Sequence, residues 1–414
     1  MTSGLPGCRS CGAAGLELVL SLGRTPLANA LLTREQLNLP EPLYPLDLAF
    51  CPGCTLVQIT TTVPPAELFA DYLYFSSFSD TMLRHAHSLV ARLIGERRLG
   101  PQSLVVEIAS NDGYLLQNYT GANVPVLGIE PAANIAEEAE RRGIPTVVEF
   151  FGEELAARLA AQGRRADVVH AHNVLAHVAD LNGFVEGIAI LLKPEGVAVI
   201  EAPYLKDLLD HCEFDTIYHE HLCYFSLTAL DHLFRRHGLV VQDVERIPIH
   251  GGSLRVVVGK RPHPALPQKV RENVAELLAE EATWGVDRFA TYRDFGTRVE
   301  ALKATLTTML AGFKRRGDRI AAYGAAAKGS TLLNYFGIGR ETLDFVVDRS
   351  PHKQGRFMPG VHLPILAPER LLEEMPDEVL LLTWNFADEI LEQQRTYRQL
   401  GGRFIIPVPE VKVA

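Results

Sequence analysis

The sequence predicts a multidomain α/β protein, because three patterns along its 414 residues agree. Two pairs of closely spaced cysteines stand near the N-terminus, and two regions follow in which short apolar strands alternate with helical stretches. Such alternation is typical of parallel, doubly wound sheets. The length also favours two or three domains, since a domain averages about 100–200 residues. We place the domains at residues 1–70, 71–260 and 261–414.

The N-terminal cysteines predict a zinc site. Cys8 and Cys11 form one C-x2-C pair, and Cys51 and Cys54 form the second. In a reducing compartment such pairs indicate metal ligands rather than disulfides, although a redox pair or chance spacing stays open. Four thiolates complete the tetrahedron around Zn²⁺ and leave no position for substrate. The zinc is therefore expected to be structural.

The two α/β regions can be followed along the chain. In the central region we predict a helix at 81–97 and strands at 103–109, 126–130, 147, 167–170, 197–202 and 255–258. Helical patterning then covers 269–316, and a second series of strands is predicted at 319–323, 345–348, 379–383 and 403–407. Parallel sheets bind ligands at the carboxyl ends of their strands, so both regions are candidates for a site.

The first central strand ends in a turn that predicts a nucleotide site. The turn runs from Glu107 through Ala109, Asn111 and Asp112 to Gly113, and a helix follows. Small residues let a ligand approach the backbone, and the helix offers unpaired N–H groups. Ala109 replaces the first glycine of G-x-G-x-x-G, which favours S-adenosylmethionine (SAM) over a dinucleotide. Another nucleotide and a purely structural turn remain as alternatives.

Three further residues are expected at this cofactor. Glu130 ends the next strand, where a carboxylate can accept both ribose hydroxyl groups of an adenosine. His172 and Asn173 end another strand and would complete the mouth of the crevice.

A second small-residue turn, in the C-terminal region, predicts an anion site. Lys328 and Ser330 stand where a helix begins, so that backbone donors and one ammonium group could bind a diphosphate. The segment is neither a P-loop nor a full dinucleotide fingerprint. Plain packing and a dinucleotide oxidoreductase module are the alternatives. Arg255, after a glycine pair, could contact a phosphate or form a salt bridge.

Composition limits the partners. The formal net charge is −10 and basic residues do not cluster, so neither nucleic acid nor an anionic membrane surface is expected. No apolar run approaches the about 20 residues that span a bilayer, and we see no export signal. We expect a cytoplasmic protein, monomeric or weakly associating, that acts on small molecules.

Five segments together resemble one family, the three-domain sugar C-methyltransferases of antibiotic deoxysugar pathways. They are the paired cysteines, EIASNDG at 107–113, FDTIYHEH at 214–221, HGGSLR at 250–255 and YGAAAKGSTLLN at 323–334. The resemblance implies a small zinc-binding N-terminal domain, a central Rossmann-like SAM methyltransferase domain and a C-terminal Rossmann-like α/β domain. It also implies methylation of a carbon next to the ketone of a dTDP-4-keto-deoxysugar, most often C3 and in some relatives C5.

The same resemblance implies roles for individual residues. The implied active-site residues are His221 as the general base, Tyr218, Glu220, His177 and Tyr72. The residues implied to hold the dTDP part are Lys328, Ser330 and Asn334. His219 departs from the family, whose members often carry an acidic residue at that position.

The implied chemistry suits these residue types. A C–H next to a ketone can be removed by a positioned histidine, whose pKa of about 6.5 lies near working pH. Tyr218 could donate to the developing enolate oxygen, and Glu220 could orient the imidazole. Two alternatives stay open. The first is an enzyme that methylates oxygen or nitrogen, or that acts on a non-sugar acceptor. The second is an inactive zinc-bearing scaffold.

Overall fold

The structure is a computed structural model that describes residues 6–64, 68, 76–78, 80–249, 251–261 and 268–414. Tyr72, which the sequence analysis places in the active site, lies outside the described residues.

The strands follow one another as β1 (Glu17–Thr25), β2 (Tyr44–Phe50), β3 (Val57–Ile59), β4 (Val105–Ile108), β5 (Val126–Ile129), β6 (Thr146–Val147), β7 (Ala166–His172), β8 (Leu192–Pro203), β9 (Cys223–Tyr224), β10 (Val240–Ile247), β11 (Ser253–Gly259), β12 (Ile320–Tyr323), β13 (Val346–Val347), β14 (Ile365–Leu366), β15 (Glu378–Leu381), β16 (Arg403–Ile406) and β17 (Lys412–Val413).

The helices of the described residues are α1 (Asp80–Arg97), α2 (Gln117–Thr120), α3 (Ala133–Arg141), α4 (Glu153–Ala161), α5 (Leu181–Leu191), α6 (Leu205–Asp210), α7 (Leu227–Arg236), α8 (Gln268–Trp284), α9 (Phe289–Arg316), α10 (Ala327–Phe336), α11 (Arg370–Glu374), α12 (Ala387–Gln393) and α13 (Arg395–Gln399). No helix in this described part of the chain is both long and apolar enough to cross a bilayer.

The N-terminal domain is a small antiparallel sheet that the central region completes. Its strands lie in the order β1-β2-β3-β9, and β9 comes from the central part of the chain. In that last pair Val57 lies opposite Tyr224, and Gln58 lies opposite Cys223. The zinc-binding domain is therefore joined to the segment directly after His221 by backbone hydrogen bonds.

The central domain is built on a seven-stranded sheet in the order β10-β11-β8-β7-β4-β5-β6. The five strands from β8 to β6 are parallel, whereas β11 is antiparallel to both of its neighbours. All four residues of β4 are buried, as expected for a strand covered on both faces. On one face α1 buries Ala86 and Val90 against Val168 and Val199 of the sheet.

The C-terminal domain has a six-stranded sheet in the order β14-β13-β12-β15-β16-β17. Its strands are parallel apart from β17. Two helices, α8 and α9, lead into it, and α9 also reaches the N-terminal domain, where Tyr292 stacks on Phe50 with ring centroids 4.5 Å apart.

The predicted fold class is confirmed, with three differences in detail. Every predicted strand is present within a few residues, but β1–β3, β9, β10, β14 and β17 were not predicted. The central sheet is not wholly parallel, because β11 runs against its neighbours. The helical region 269–316 is broken after Trp284, where Gly285 takes a φ of +91° that other residues rarely adopt.

Candidate active site

The four predicted cysteines converge at one end of the N-terminal domain. The sulfurs of Cys8 and Cys54 are 3.5 Å apart, those of Cys11 and Cys51 are 3.6 Å apart, and all four lie within 4.8 Å of one another. Zinc with four Zn–S bonds of about 2.3 Å needs sulfur spacings close to these values. Burial raises the pKa of the Cys51 thiol to about 11, so a bound cation is needed to keep it as a thiolate. The residues therefore fit a closed, structural Zn²⁺ site.

The predicted cofactor turn has the strained backbone of a ligand site. Ala109 and Asn111 have φ angles of +54° and +49°, and Asn173, at the end of β7, has a φ of +52°. Such left-handed residues cost free energy and cluster at functional sites. Gly113 is required in this turn, because its φ is +76° and a Cβ atom would lie 2.8 Å from Cγ1 of Ile144.

Glu130 and Glu107 line this turn as buried carboxyl groups. Glu130 accepts backbone hydrogen bonds from Asn111 at 3.0 Å and Ala132 at 2.9 Å, which leaves oxygen lone pairs for a ribose. Burial raises the pKa of Glu107 well above its usual range, and the nearby Glu130 and Asp112 add to the effect. A cationic ligand beside these groups would favour their ionised forms.

The turn is also held by a short segment at residues 76–78. The backbone N–H of Ser76 donates to Oδ1 of Asn111 at 2.9 Å, and the hydroxyl of Ser77 donates to Asp112. Arg142 forms an ion pair with Asp112 at 3.2 Å. Asp112 thus helps to anchor this segment to the cofactor turn.

The end of β7 adds the predicted pair His172 and Asn173. The backbone N–H of Asn173 donates to the carbonyl of Glu201 at 2.8 Å, and Nδ1 of His172 lies 3.5 Å from the Glu201 carboxylate. Within the described residues, Oδ1 of Asn173 is buried without a hydrogen-bond partner. This amide oxygen is available to a bound ligand.

Arg255 is placed differently from the phosphate contact considered above. Its guanidinium donates to Glu201 at 2.7 Å and to Glu245 at 2.8 Å, and the residue is only 7% exposed. His85 of α1 lies 3.0 Å from the same Glu201 carboxylate. Arg255 therefore belongs to a buried ion-pair network beneath α1. Of the two roles that the sequence left open, this is the salt bridge.

His221 and Tyr218 form the centre of the predicted catalytic group. Nδ1–H of His221 donates to the carbonyl of Thr216 at 2.9 Å, and the hydroxyl of Tyr218 donates to Nε2 at 2.9 Å. A carbonyl can only accept, so the neutral ring carries its proton on Nδ1 and a lone pair on Nε2. The Thr216 carbonyl, rather than Glu220, orients the imidazole.

His177 packs edge-on against this imidazole, with the two ring centroids 4.8 Å apart. It lies in the short turn Leu175–His177, which follows the end of β7 and so links that end of the sheet to His221. The backbone N–H of Leu222 donates to the carbonyl of Ala176 at 2.7 Å. Burial lowers the pKa of His177 to about 4, so this ring is neutral at neutral pH.

Glu220 and His219 face the N-terminal domain. Nδ2 of Asn29 donates to Glu220 at 2.6 Å, and Nε2–H of His219 donates to the carbonyl of Pro45 at 3.2 Å. Burial raises the pKa of Glu220 to about 7, although the Asn29 hydrogen bond opposes the shift. His219, the residue that departs from the family pattern, thus contacts the N-terminal domain.

The three predicted C-terminal residues lie on α10. Among the described residues, Nζ of Lys328 and Oγ of Ser330 are buried without a hydrogen-bond partner, and Lys328 lies over the Trp384 ring at 4.4 Å. Asn334 is used within the domain, since it donates to the carbonyls of Ser330 at 2.8 Å and Pro359 at 3.1 Å.

Sequence reasoning missed several residues of this site. They are Asn29, Ser77, Thr216, Glu201 and Trp384. Trp384 carried one usable signal, because the chain has only 2 tryptophans. The others act through tertiary contacts or a backbone carbonyl, for which no local pattern exists.

Three family models match successive parts of the chain. They are "Putative zinc binding domain" over residues 8–69, "Methyltransferase domain" over residues 81–244 and "C-methyltransferase C-terminal domain" over residues 248–409. The chain is 39% identical over 406 residues to the C-methyltransferase NovU of Streptomyces niveus, which covers 98% of this chain and 96% of that protein.

Two other similarities are more limited. A ubiquinone biosynthesis O-methyltransferase of Methylobacterium sp. (strain 4-46) is 30% identical over 128 residues, 29% of this chain and 50% of that protein. The structure of magnesium protoporphyrin IX methyltransferase (ChlM) from Synechocystis PCC 6803 with bound SAM covers 47% of this chain and 88% of its own, at 13% identity and a TM-score of 0.34.

The matched domains and the four-cysteine cluster define a SAM-dependent methyltransferase that carries a zinc-binding domain. More narrowly, the chain belongs to the C-methyltransferase family of NovU, and it is a SAM-dependent C-methyltransferase. The predicted family, the enzyme class, SAM and structural zinc are thereby confirmed.

Proposed function

We propose that the protein methylates the carbon next to the ketone of a dTDP-4-keto-deoxysugar, with C3 as the favoured position and His221 as the general base. One observation carries the base assignment. The Thr216 carbonyl holds the Nδ1 proton of His221, so the Nε2 lone pair is directed to the Tyr218 hydroxyl. The substrate assignment rests on the resemblance to deoxysugar enzymes and on the similarity to NovU.

The residues suit an enolate mechanism. When the substrate binds, the Tyr218 hydroxyl would turn from Nε2 of His221 to the oxygen on which negative charge develops. The freed Nε2 would then take the proton from the carbon next to the ketone. SAM supplies the methyl group that the carbon accepts. The neutral His177 ring, 4.8 Å from His221 between centroids, shields the base without adding a competing positive charge.

Cofactor binding is assigned to the turn after β4. The Glu130 carboxylate would accept the ribose hydroxyls while still holding two backbone N–H groups. Glu107, Ala109, Asn111, Asp112 and Gly113 would surround the amino-acid part, with His172 and Asn173 at the mouth. The left-handed backbone of this turn supports the assignment.

The nucleotide part of the substrate is assigned to the start of α10. The buried Nζ of Lys328 and Oγ of Ser330, which have no hydrogen-bond partner in the described parts of the chain, support a diphosphate there. Asn334 lies one turn after Ser330 on the same helix and would support this site through its hydrogen bonds to the carbonyls of Ser330 and Pro359. We further propose that the enzyme works as a cytoplasmic monomer.

Replacement of His221 by Asn tests the proposal. We expect methyl transfer to dTDP-4-keto-deoxysugars to fall at least about 100-fold, as removal of a general base does, with SAM affinity unchanged. The matched control is His232→Asn, because His232 is exposed on α7 and should be dispensable. Activity is followed by mass spectrometry and SAM affinity by calorimetry.

Solvent deuterium tests the type of reaction. With wild-type enzyme, and SAM replaced by its demethylated product, the proton next to the ketone should exchange with D₂O, and His221→Asn should not catalyse the exchange. Exchange that survives this substitution would remove His221 as the base. Methylation at oxygen or nitrogen without exchange at carbon would refute the substrate assignment.

A further inference from the structure

A buried carboxylate outside the proposed reaction, Asp215, joins the C-terminal domain to the segment that orients His221. Asp215 is 0% exposed and lies in the short turn Phe214–Thr216 of the central domain. Its Oδ2 accepts a hydrogen bond from Nε1–H of Trp384 at 2.7 Å. Trp384 lies in the C-terminal domain, in the short turn Trp384–Phe386 after β15, so this hydrogen bond crosses the domain boundary.

The neighbours of Asp215 strengthen the same contact. The Phe214 ring stacks on Phe336 of α10, with centroids 4.8 Å apart. Lys328, also on α10, lies over the Trp384 ring at 4.4 Å, and its charge favours the ionised form of Asp215. The turn is therefore held by an aromatic stack, a hydrogen bond and an opposite charge, all from one domain.

The residue after Asp215 is the one that holds the imidazole. The carbonyl of Thr216 accepts Nδ1–H of His221, and the N–H of Thr216 donates to the carbonyl of Glu213 at 3.1 Å. The Thr216 carbonyl is thus fixed by the same turn that Trp384 grips through Asp215. A shift of this turn would move the acceptor that keeps the proton on Nδ1.

We propose that Asp215 is a positioning residue that, through its hydrogen bond to Trp384, keeps the Thr216 carbonyl against Nδ1 of His221. Because the hydrogen bond of one imidazole nitrogen decides which nitrogen carries the proton, this contact keeps the lone pair on Nε2. The inference rests on the proposed function, in which His221 is the base. The C-terminal domain then determines which nitrogen of His221 carries the proton, in addition to binding the nucleotide.

The test compares the two tryptophans of the chain. Trp384→Phe removes the N–H donor but keeps an aromatic ring beside Lys328. Trp284→Phe is the matched control, because Trp284 packs on Tyr292, with ring centroids 5.9 Å apart, on α8 and α9. Long-range ¹H–¹⁵N NMR of protein labelled in histidine reports the tautomer, and the His221 signal is assigned from its loss in His221→Asn.

We expect His221 to carry its proton on Nδ1 in the wild type and in Trp284→Phe, and to become a mixture of tautomers in Trp384→Phe. Turnover of a dTDP-4-keto-deoxysugar should fall by roughly tenfold or more in Trp384→Phe, while SAM affinity stays constant. A residue that only supports packing would lower stability without changing the tautomer.

Two substitutions at Asp215 complete the experiment. Asp215→Asn keeps an oxygen that can accept from Trp384 and should preserve the wild-type tautomer, whereas Asp215→Ala should behave like Trp384→Phe. An unchanged tautomer in both Trp384→Phe and Asp215→Ala would overturn the inference. The NMR arm needs no sugar substrate, so inactivity of the wild type on dTDP-4-keto-deoxysugars would count against the proposed function alone.

Discussion

At the scale of single residues, burial sets the charge of the carboxyl groups around the site. Burial raises the pKa of Glu213 to about 8, of Glu220 to about 7 and of Asp215 to about 6. Neighbouring groups oppose each rise in pKa, as the positive charge of Lys328 does for Asp215. Such carboxyl groups are costly to ionise in the fold, and their pKa values lie near neutral pH.

Glu220 gives a testable consequence for stability. Its folded pKa of about 7 lies above the ordinary 4.5, so the folded protein binds more protons than the unfolded chain between these values. The free energy of unfolding should therefore fall as pH rises from about 4.5 to 7. Glu220→Gln should remove up to about 3 kcal/mol of this fall, as a shift of that size implies.

Urea titrations across this pH range measure the effect. Glu276→Gln is the control, because Glu276 is exposed on α8, and it should keep the wild-type slope. Equal slopes for wild type and Glu220→Gln would show that this carboxyl group is solvated rather than buried.

At the scale of elements, the turn after β4 combines a sequence signal with a steric requirement. Its left-handed residues bring backbone N–H groups to the carboxyl edge of the sheet, and Glu130 of the next strand accepts one of them. Gly113 packs against Ile144, the residue that precedes β6 by two positions. The conformation of the turn is thus fixed by residues beside two strands of the same sheet, Glu130 after β5 and Ile144 before β6.

Substitution of Gly113 should damage this turn specifically. Alanine would place a Cβ atom 2.8 Å from Ile144 and would strain a φ of +76°. We expect Gly113→Ala to weaken SAM binding by roughly tenfold, equivalent to about 1.4 kcal/mol, in calorimetric titrations. Gly95→Ala on α1 is the control, because nothing lies within 4 Å of the added atom. An affinity like that of the wild type would mean that the turn is not part of the cofactor site.

The strands show what can be predicted from sequence at this scale. Apolar runs such as 105–108 and 320–323 predict buried parallel strands, because both faces of such strands are covered. β9 is a two-residue strand that exists through its pairing with β3, far away in the chain, and no local pattern marks it. β11 is also apolar, but nothing in its own residues reveals that it runs antiparallel.

At the scale of the whole molecule, the three regions share one buried apolar core. Phe50, Leu208 and Leu332 come from the N-terminal, central and C-terminal regions and belong to the same cluster. One polar contact between regions, that of Asn29 with Glu220, lies beside His221, while others, such as Glu41 with Gly360, lie elsewhere. The segment around His221 is therefore one of the places where the domains meet.

Removal of zinc should for this reason stop catalysis without emptying the cofactor site. Cys54→Ala should lose the metal and most methyl transfer, because the domain that supports β9 and Glu220 is destabilised, while SAM affinity is retained. Cys212→Ala, at a buried cysteine outside the cluster, should keep one zinc per chain. Atomic absorption measures the bound zinc, calorimetry measures SAM affinity, and an activity assay measures methyl transfer. Full activity in zinc-free protein would contradict this coupling.

The candidate site shows the same limit as the fold. Sequence patterns and family resemblance nominate side chains such as His221, Tyr218 and Glu130, because chemistry restricts which residue types serve. They do not nominate the Thr216 carbonyl, since every residue has one, nor Asn29, which approaches Glu220 only after folding. Orienting partners are therefore read from the structure.

The pairing of β9 with β3 has a practical consequence for hybrid enzymes. A chimaera that takes its first 64 residues from a relative would give Cys223 and Tyr224 a foreign strand to pair with, directly after His221. Such a transplant would change the side chains beside this segment even when every residue of the central domain is native. Residues 213–226 should be exchanged together with the N-terminal segment when acceptor preference is moved between relatives.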